Sequence, residues 1–142
     1  MRIADVLRTK GASVATITPE TSVSGLLTEL AVHNIGAMVV VSPDGLAGIV
    51  SERDVVRKLH EHGAGLLTLP VSEIMTTFVA TCAPSDTVDH LSALMTNKRV
   101  RHIPVLENDR LVGIVSIGDV VKQRMEELET EQQQLQDYIT RG

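Results

Sequence analysis

Gly48-Ile49-Val50-Ser51-Glu52-Arg53-Asp54-Val55-Val56 returns as Gly113-Ile114-Val115-Ser116-Ile117-Gly118-Asp119-Val120-Val121, 65 residues later. A repeat that covers most of a 142-residue chain constrains the architecture more than any single motif. The copies align without gaps over 15–59 and 80–124, with Pro19 on Pro84, Val23 on Val88, Leu26 on Leu91 and Asp44 on Asp109. The leading pieces correspond more loosely. Ile3-Ala4-Asp5-Val6-Leu7 resembles Val71-Ser72-Glu73-Ile74-Met75 at a spacing of 68.

Each copy reads in the same order. A short extended piece (14–17, 79–82) runs into a Pro. A helix follows, with apolar Val23, Leu26, Leu27 and Leu30, then Val88, Leu91, Leu94 and Met95, at helical spacing. Thr21 or Ser22, and Asp86 or Thr87, supply caps. Two strands come next, over 37–41 and 46–50, then over 103–106 and 111–115. Pro43-Asp44-Gly45 and Asn108-Asp109 mark the turns between them. A second helix opens at Ser51 and at Ser116. The pattern predicts an α+β fold of two β-α-β-β-α units. A unit of about 55 residues is marginal alone, so the two are expected to pack sheet to sheet with pseudo-twofold symmetry. The expected boundaries are 1–65, 66–125 and a helical extension over 126–142, with 63–70 as connector.

Hydrophobic residues make up 43% of the chain, enough for a core. Phe78 and Tyr138 are the only aromatics, so the core must be aliphatic and base-stacking platforms are lacking. A net charge of -5 argues against a nucleic-acid-coating surface but leaves room for a local basic pocket. Cys82 is the single cysteine, which fits a reducing compartment and excludes an internal disulfide. The first residues show no signal-peptide pattern, and no apolar run reaches the roughly 20 residues of a membrane span. The expectation is a cytoplasmic protein bound neither to membrane nor to nucleic acid.

Ser51-Glu52-Arg53-Asp54 and Ser116-Ile117-Gly118-Asp119 open the second helix of each copy. One reading is a capping box, in which Ser and Asp satisfy each other's backbone N–H. The other uses the same geometry for a ligand. A helix N-terminus attracts phosphate, a Ser hydroxyl donates to it, and an Asp accepts from the two hydroxyls of a ribose. Gly48 and Gly113 would then let a ligand approach the backbone.

Two β-α-β-β-α copies, each ending in Gly-h-h-Ser-x-x-Asp (h, hydrophobic), resemble a tandem pair of CBS domains, a Bateman module. His102-Ile103-Pro104-Val105 is similar to the family's basic-h-Pro-h strand. The resemblance spans about residues 1 to 125. It implies a regulatory sensor for adenosine-containing ligands in the cleft between the copies: AMP, ADP, ATP, NAD(H) or S-adenosylmethionine. In copy one it assigns ligand contacts to Thr16, Ile17, Pro19, Gly36, Ala37, Met38, Ser51, Arg53 and Asp54. In copy two it assigns them to Thr81, Cys82, Pro84, Arg101, His102, Ile103, Pro104, Ser116 and Asp119. The two Asp residues would take ribose and the two Ser residues phosphate. Copy one lacks the Arg101-His102 pair and the Pro, and has Arg53 where copy two has Gly118, so the two sites are expected to differ.

Other constellations are weaker. His60-x-His62, with His33, His90 and His102 elsewhere, allows a metal-binding alternative, against solvated imidazoles at a helix C-terminus. Ser116, His102 and Asp119 do not sit in a nucleophile-elbow pattern, so the expectation is a protein that is not an enzyme, with nucleotide hydrolysis in the cleft as the weaker alternative. Lys98, Arg99, Arg101 and His102 read either as a solvated helix end or as phosphate capture. Val121, Met125, Leu128, Gln132, Leu135 and Ile139 follow a heptad-like 4-3-4-3-4 spacing on a helix over 117–139. That stripe either packs on the module or joins a second copy, and a homodimer reporting to an unidentified effector protein is expected.

Overall fold

The computed structural model describes residues 1–11, 13–77 and 79–141; Ala12, Phe78 and Gly142 lie outside the described residues. The fold is α+β, with elements in the order α1 (Ile3–Lys10), β1 (Thr16–Ile17), α2 (Val23–His33), β2 (Ala37–Ser42), β3 (Gly45–Ser51), α3 (Glu52–His62), α4 (Val88–Lys98), β4 (His102–Glu107), β5 (Arg110–Ser116) and α5 (Ile117–Arg141). Two 3-10 turns, Gly63–Thr68 and Val71–Glu73, lie between α3 and α4.

The local chemistry explains the boundaries. Ser22 Oγ accepts the Gly25 N–H at 3.0 Å and Thr87 Oγ1 accepts the His90 N–H at 3.1 Å, which settles the caps of α2 and α4. Both helices end on a left-handed residue, Asn34 and Arg99. Asn108 and Asp109 both have positive φ, as a two-residue hairpin turn requires, and join β4 to β5.

In the first sheet β1 runs parallel to β2, and β2 antiparallel to β3. The second sheet repeats the β2–β3 register in β4–β5. Its leading piece shrinks to a single parallel bridge between Cys82 and Val105, the counterpart of Ile17 and Val40. Pro104 has no N–H with which to extend that ladder.

The described residues form two aliphatic cores, which do not follow chain order. Leu26, Met38, Val40 and Val50 of copy one pack with Leu66, Val71 and Ile74. Leu91, Ile103, Val105 and Val115 of copy two pack with Ile3, Val6 and Leu7. The leading segments are thus exchanged between the halves. Backbone hydrogen bonds repeat the exchange with pseudo-twofold symmetry. The Ala4 N–H donates to Pro84 O (2.9 Å), the Ile3 N–H to Asp86 O (2.9 Å) and the Val88 N–H to Met1 O (3.0 Å). Their equivalents run from Ser72 to Pro19 (3.1 Å), Val71 to Thr21 (2.8 Å) and Val23 to Leu69 (2.9 Å). The stretch expected to be a plain connector therefore carries core, since Leu66 is fully buried. The sequence repeat divides near residue 65, whereas the packing threads each half through the other.

Candidate functional site

The site begins where β3 and β5 hand over to α3 and α5. Both Ser-x-x-Asp turns form complete capping boxes. The Ser51 N–H donates to Asp54 Oδ2 at 2.8 Å and the Asp54 N–H to Ser51 Oγ at 3.3 Å. Ser116 and Asp119 repeat this at 2.9 and 3.2 Å. In each copy the Ser hydroxyl also donates to the same carboxylate oxygen, at 3.1 and 3.0 Å. The next N–H is also taken: Glu52 donates to Gly36 O at 3.0 Å, and Ile117 to Arg101 O at 2.8 Å. The helix starts therefore offer fewer free donors than the ligand reading expected. The second oxygen of each carboxylate stays outside the box.

The repeated glycines need a different explanation from the one expected. A Cβ on Gly48 would stand 2.6 Å from the Thr76 carbonyl oxygen, and one on Gly113 would stand 2.6 Å from Leu7 Cδ2. Each glycine makes room for the exchanged leading segment, not for a ligand.

Between the two helix starts lies a cleft of about 820 Å³, within the size range of small-molecule sites. Copy one contributes Gly36, Ala37, Ser51, Arg53 and Asp54 from the expected residues, and copy two contributes Arg101, His102 and Ser116. The cleft adds Ile49, Glu52, Val56, Arg57, Thr76, Val79, Ala80, Arg99, Val100, Ile117 and Gly118. Of these, Arg99 was legible as part of the basic run. Glu52, Val56 and Arg57 were missed, although Val56 lies four residues after Glu52 and Arg57 four after Arg53, so that each pair shares a helix face. Arg53, Arg57, Arg99 and Arg101 make the cleft locally cationic against Glu52 and Asp54, in a chain of net charge -5.

The remaining expected residues lie elsewhere. Met38, Ile17, Cys82 and Ile103 are buried core side chains, and Pro104 is buried beside them. Burial, with a smaller push from Asp86, raises the Cys82 thiol to about 12. Pro19 and Pro84 serve as carbonyl acceptors for the exchanged segments. Thr16 and Thr81 are exposed and do not line the cleft.

Asp119 also stands apart. It lines a separate dimple of about 40 Å³ with Val6, Thr9, Lys10, Lys122, Gln123 and Glu126. Lys10 Nζ donates to its Oδ2 at 2.6 Å and to Ile114 O at 2.7 Å. Burial works to raise the Asp119 carboxyl, but the Lys10 ammonium and the Ser116 N–H and hydroxyl outweigh it and hold the group below its usual range. Burial lowers His102, and Lys10 and Arg101 lower it further against Asp119 and Glu52, so the imidazole favours its neutral form.

His60 and His62 are exposed in the last turn of α3. No group of three His, Cys, Asp or Glu that could hold a metal forms among the described residues. Among them also, no helix is long and apolar enough to cross a membrane. The stripe on α5 does not pack on the module: Val121, Met125, Leu128, Leu135 and Ile139 are 50 to 66% exposed.

The chain is 38% identical over 149 residues to the CBS domain-containing protein CBSX3, mitochondrial, of Arabidopsis thaliana, covering 99% of this chain and 72% of that protein. It is similar in structure to the CBS-domain containing protein ATU1752 from Agrobacterium tumefaciens, with 45% identity and a TM-score of 0.85 over 87% of this chain and 99% of that one. It is also similar to the CBS domain pair of protein MJ0100, solved in complex with 5-methylthioadenosine and S-adenosyl-L-methionine, with 26% identity and a TM-score of 0.77 over 87% of this chain and 98% of that one. The sequence model of the CBS domain matches residues 3–61 and again 71–126, following the repeat. With both copies matched and the backbone shared with solved members, the chain belongs to the CBS domain family, as a tandem pair.

Proposed function

We propose that this CBS pair is a regulatory protein, not an enzyme, and that it binds an adenosine-containing nucleotide in the cleft between its repeats. One observation carries the reading: four arginines and the Asp54 carboxylate converge on one cleft of about 820 Å³ in an acidic chain. Guanidinium groups recognise phosphate through paired donors. The free oxygen of Asp54 suits a ribose diol. The MJ0100 pair, solved with two adenosine compounds, supports the ligand class. The cationic lining favours AMP, ADP, ATP or NAD(H), which carry phosphate, over S-adenosylmethionine, which does not.

In this reading a second copy covers the exposed stripe of α5, and the homodimer reports nucleotide status to an effector protein. Ligand binding acts by favouring one arrangement of the cleft over another. A cytoplasmic setting suits a single unpaired, buried cysteine. Mass spectrometry of compounds released from purified protein, followed by calorimetric titration with AMP, ADP, ATP, NADH and S-adenosylmethionine, tests the proposal. A phosphate-bearing adenine nucleotide is the expected occupant. Absence of heat with all five compounds would overturn the reading.

A further inference from the structure

We infer that Lys10 decides which repeat receives the ligand, closing the Asp119 half and leaving the Asp54 half as the one nucleotide site of the chain. The inference rests on the nucleotide reading of the cleft and adds to it a stoichiometry and the residue that sets it.

The two capping boxes are alike in every hydrogen bond, so the repeat alone would give two equal carboxylates. The surroundings break that equality. Asp54 lines the cleft and Asp119 does not. Among the described residues, the hydrogen bonds of the Asp54 carboxylate all come from Ser51. Asp119 Oδ2 takes the same two donors from Ser116 and a third from Lys10. A ribose diol arriving there would meet a carboxylate whose charge is already neutralised.

Lys10 is also placed in advance. It ends α1, whose Ile3, Val6 and Leu7 are buried in the second core. The helix thus fixes where the side chain starts. The ion pair is partly sheltered, with side chains 32% and 21% exposed. Displacing the ammonium would also strip its bond to the Ile114 carbonyl. Copy one has the opposite arrangement, with the Arg53 guanidinium in the cleft beside its box and Gly118 at the matching place in copy two.

The test is calorimetric titration of the full chain with AMP and, separately, with ATP, on wild type, Lys10→Met, Lys10→Gln, Asp54→Asn and the double variant Lys10→Met/Asp119→Asn. Wild type is expected to bind one nucleotide per chain, and Asp54→Asn to bind it roughly one to two orders of magnitude more weakly. Both Lys10 variants are expected to bind two, and the double variant to return to one. Lys10→Gln keeps a polar tip, so the result does not depend on one variant folding. Two nucleotides on wild type, or one on both folded Lys10 variants, would overturn this inference and leave the nucleotide reading standing. No binding of either nucleotide to any of the five proteins would overturn the nucleotide reading, and this inference with it.

Discussion

Ile49 and Thr76 exchange both of their backbone hydrogen bonds, the Ile49 N–H donating at 3.0 Å and the Thr76 N–H at 2.9 Å. This pair fastens the exchanged segment of copy two to the edge of β3, and both residues line the cleft. The neighbouring Gly48 leaves room for it. Gly48→Ala would drive a Cβ into the Thr76 carbonyl, a backbone atom that cannot swing away. Gly113→Ala meets the end of the Leu7 side chain, which can repack. The first change is expected to cost roughly 1–3 kcal/mol and the second less. Urea unfolding of both variants checks this, and equal losses would contradict it.

Asp54→Ala removes the one box carboxylate that faces the cleft. Charge-assisted hydrogen bonds are worth about 1.5–3 kcal/mol, so nucleotide affinity should fall by roughly one to two orders of magnitude. Arg101→Gln should also weaken binding and should flatten its dependence on salt. Titrations at several salt concentrations distinguish the two effects.

His102 lines the cleft with its pKa lowered, by burial first and then by Lys10 and Arg101. In the free protein the folded state holds the neutral imidazole, so stability falls as pH drops below the ordinary histidine range near 6.5. A bound phosphate opposes that lowering and draws a proton onto the ring. Affinity should therefore rise as pH falls from 8 to 6, by up to about tenfold. Heats measured in buffers of different ionisation enthalpy should show proton uptake in wild type and none in His102→Asn.

The Lys10–Asp119 pair also loses its contribution in acid, but in a lower pH range. The Asp119 carboxyl is lowered in the folded chain, so its contribution is present above the ordinary aspartate range near 4 and is lost as pH falls below it. Lys10→Met should cost about 1 kcal/mol at neutral pH, for a partly sheltered pair. The gap from wild type should narrow as pH falls below the ordinary aspartate range. Thermal melts across pH 2.5 to 7 measure it.

The α5 stripe predicts the assembly. Leu128→Glu with Leu135→Glu places charge on two exposed apolar positions and should leave the fold intact, since neither packs on the module. Sedimentation velocity is expected to show a dimer for wild type and a monomer for the double variant. A wild-type monomer would remove the dimer from the proposed function.

Much of this was legible in the repeat. The helix-strand-strand-helix order of each copy, both turns, the helix caps and the Ser-x-x-Asp boxes follow from local chemistry, and the heptad-like spacing marked a stripe that proved to be exposed, whereas α1 was not read as a helix and the strand over 79–82 is a single bridge. The exchange of leading segments was not legible, because periodicity in 3–10 and 71–75 shows an apolar face and not which core receives it. The offset of 68 against 65 was the only trace. Met38, Cys82 and Ile103 were placed with the ligand by the family resemblance, which carries over positions and not the direction in which each side chain is buried. Lys10 lay outside every motif, and only the packing of α1 brings it to Asp119.

The exchanged segments carry one more consequence. A fragment ending near residue 65 would hold a core without Leu66, Val71 and Ile74, and would present Ile3, Val6 and Leu7 with nowhere to go. Neither repeat is a portable module. Cut apart, each would seek its missing piece on another molecule, so half-length chains should associate by mutual lending, as domain-swapped proteins do.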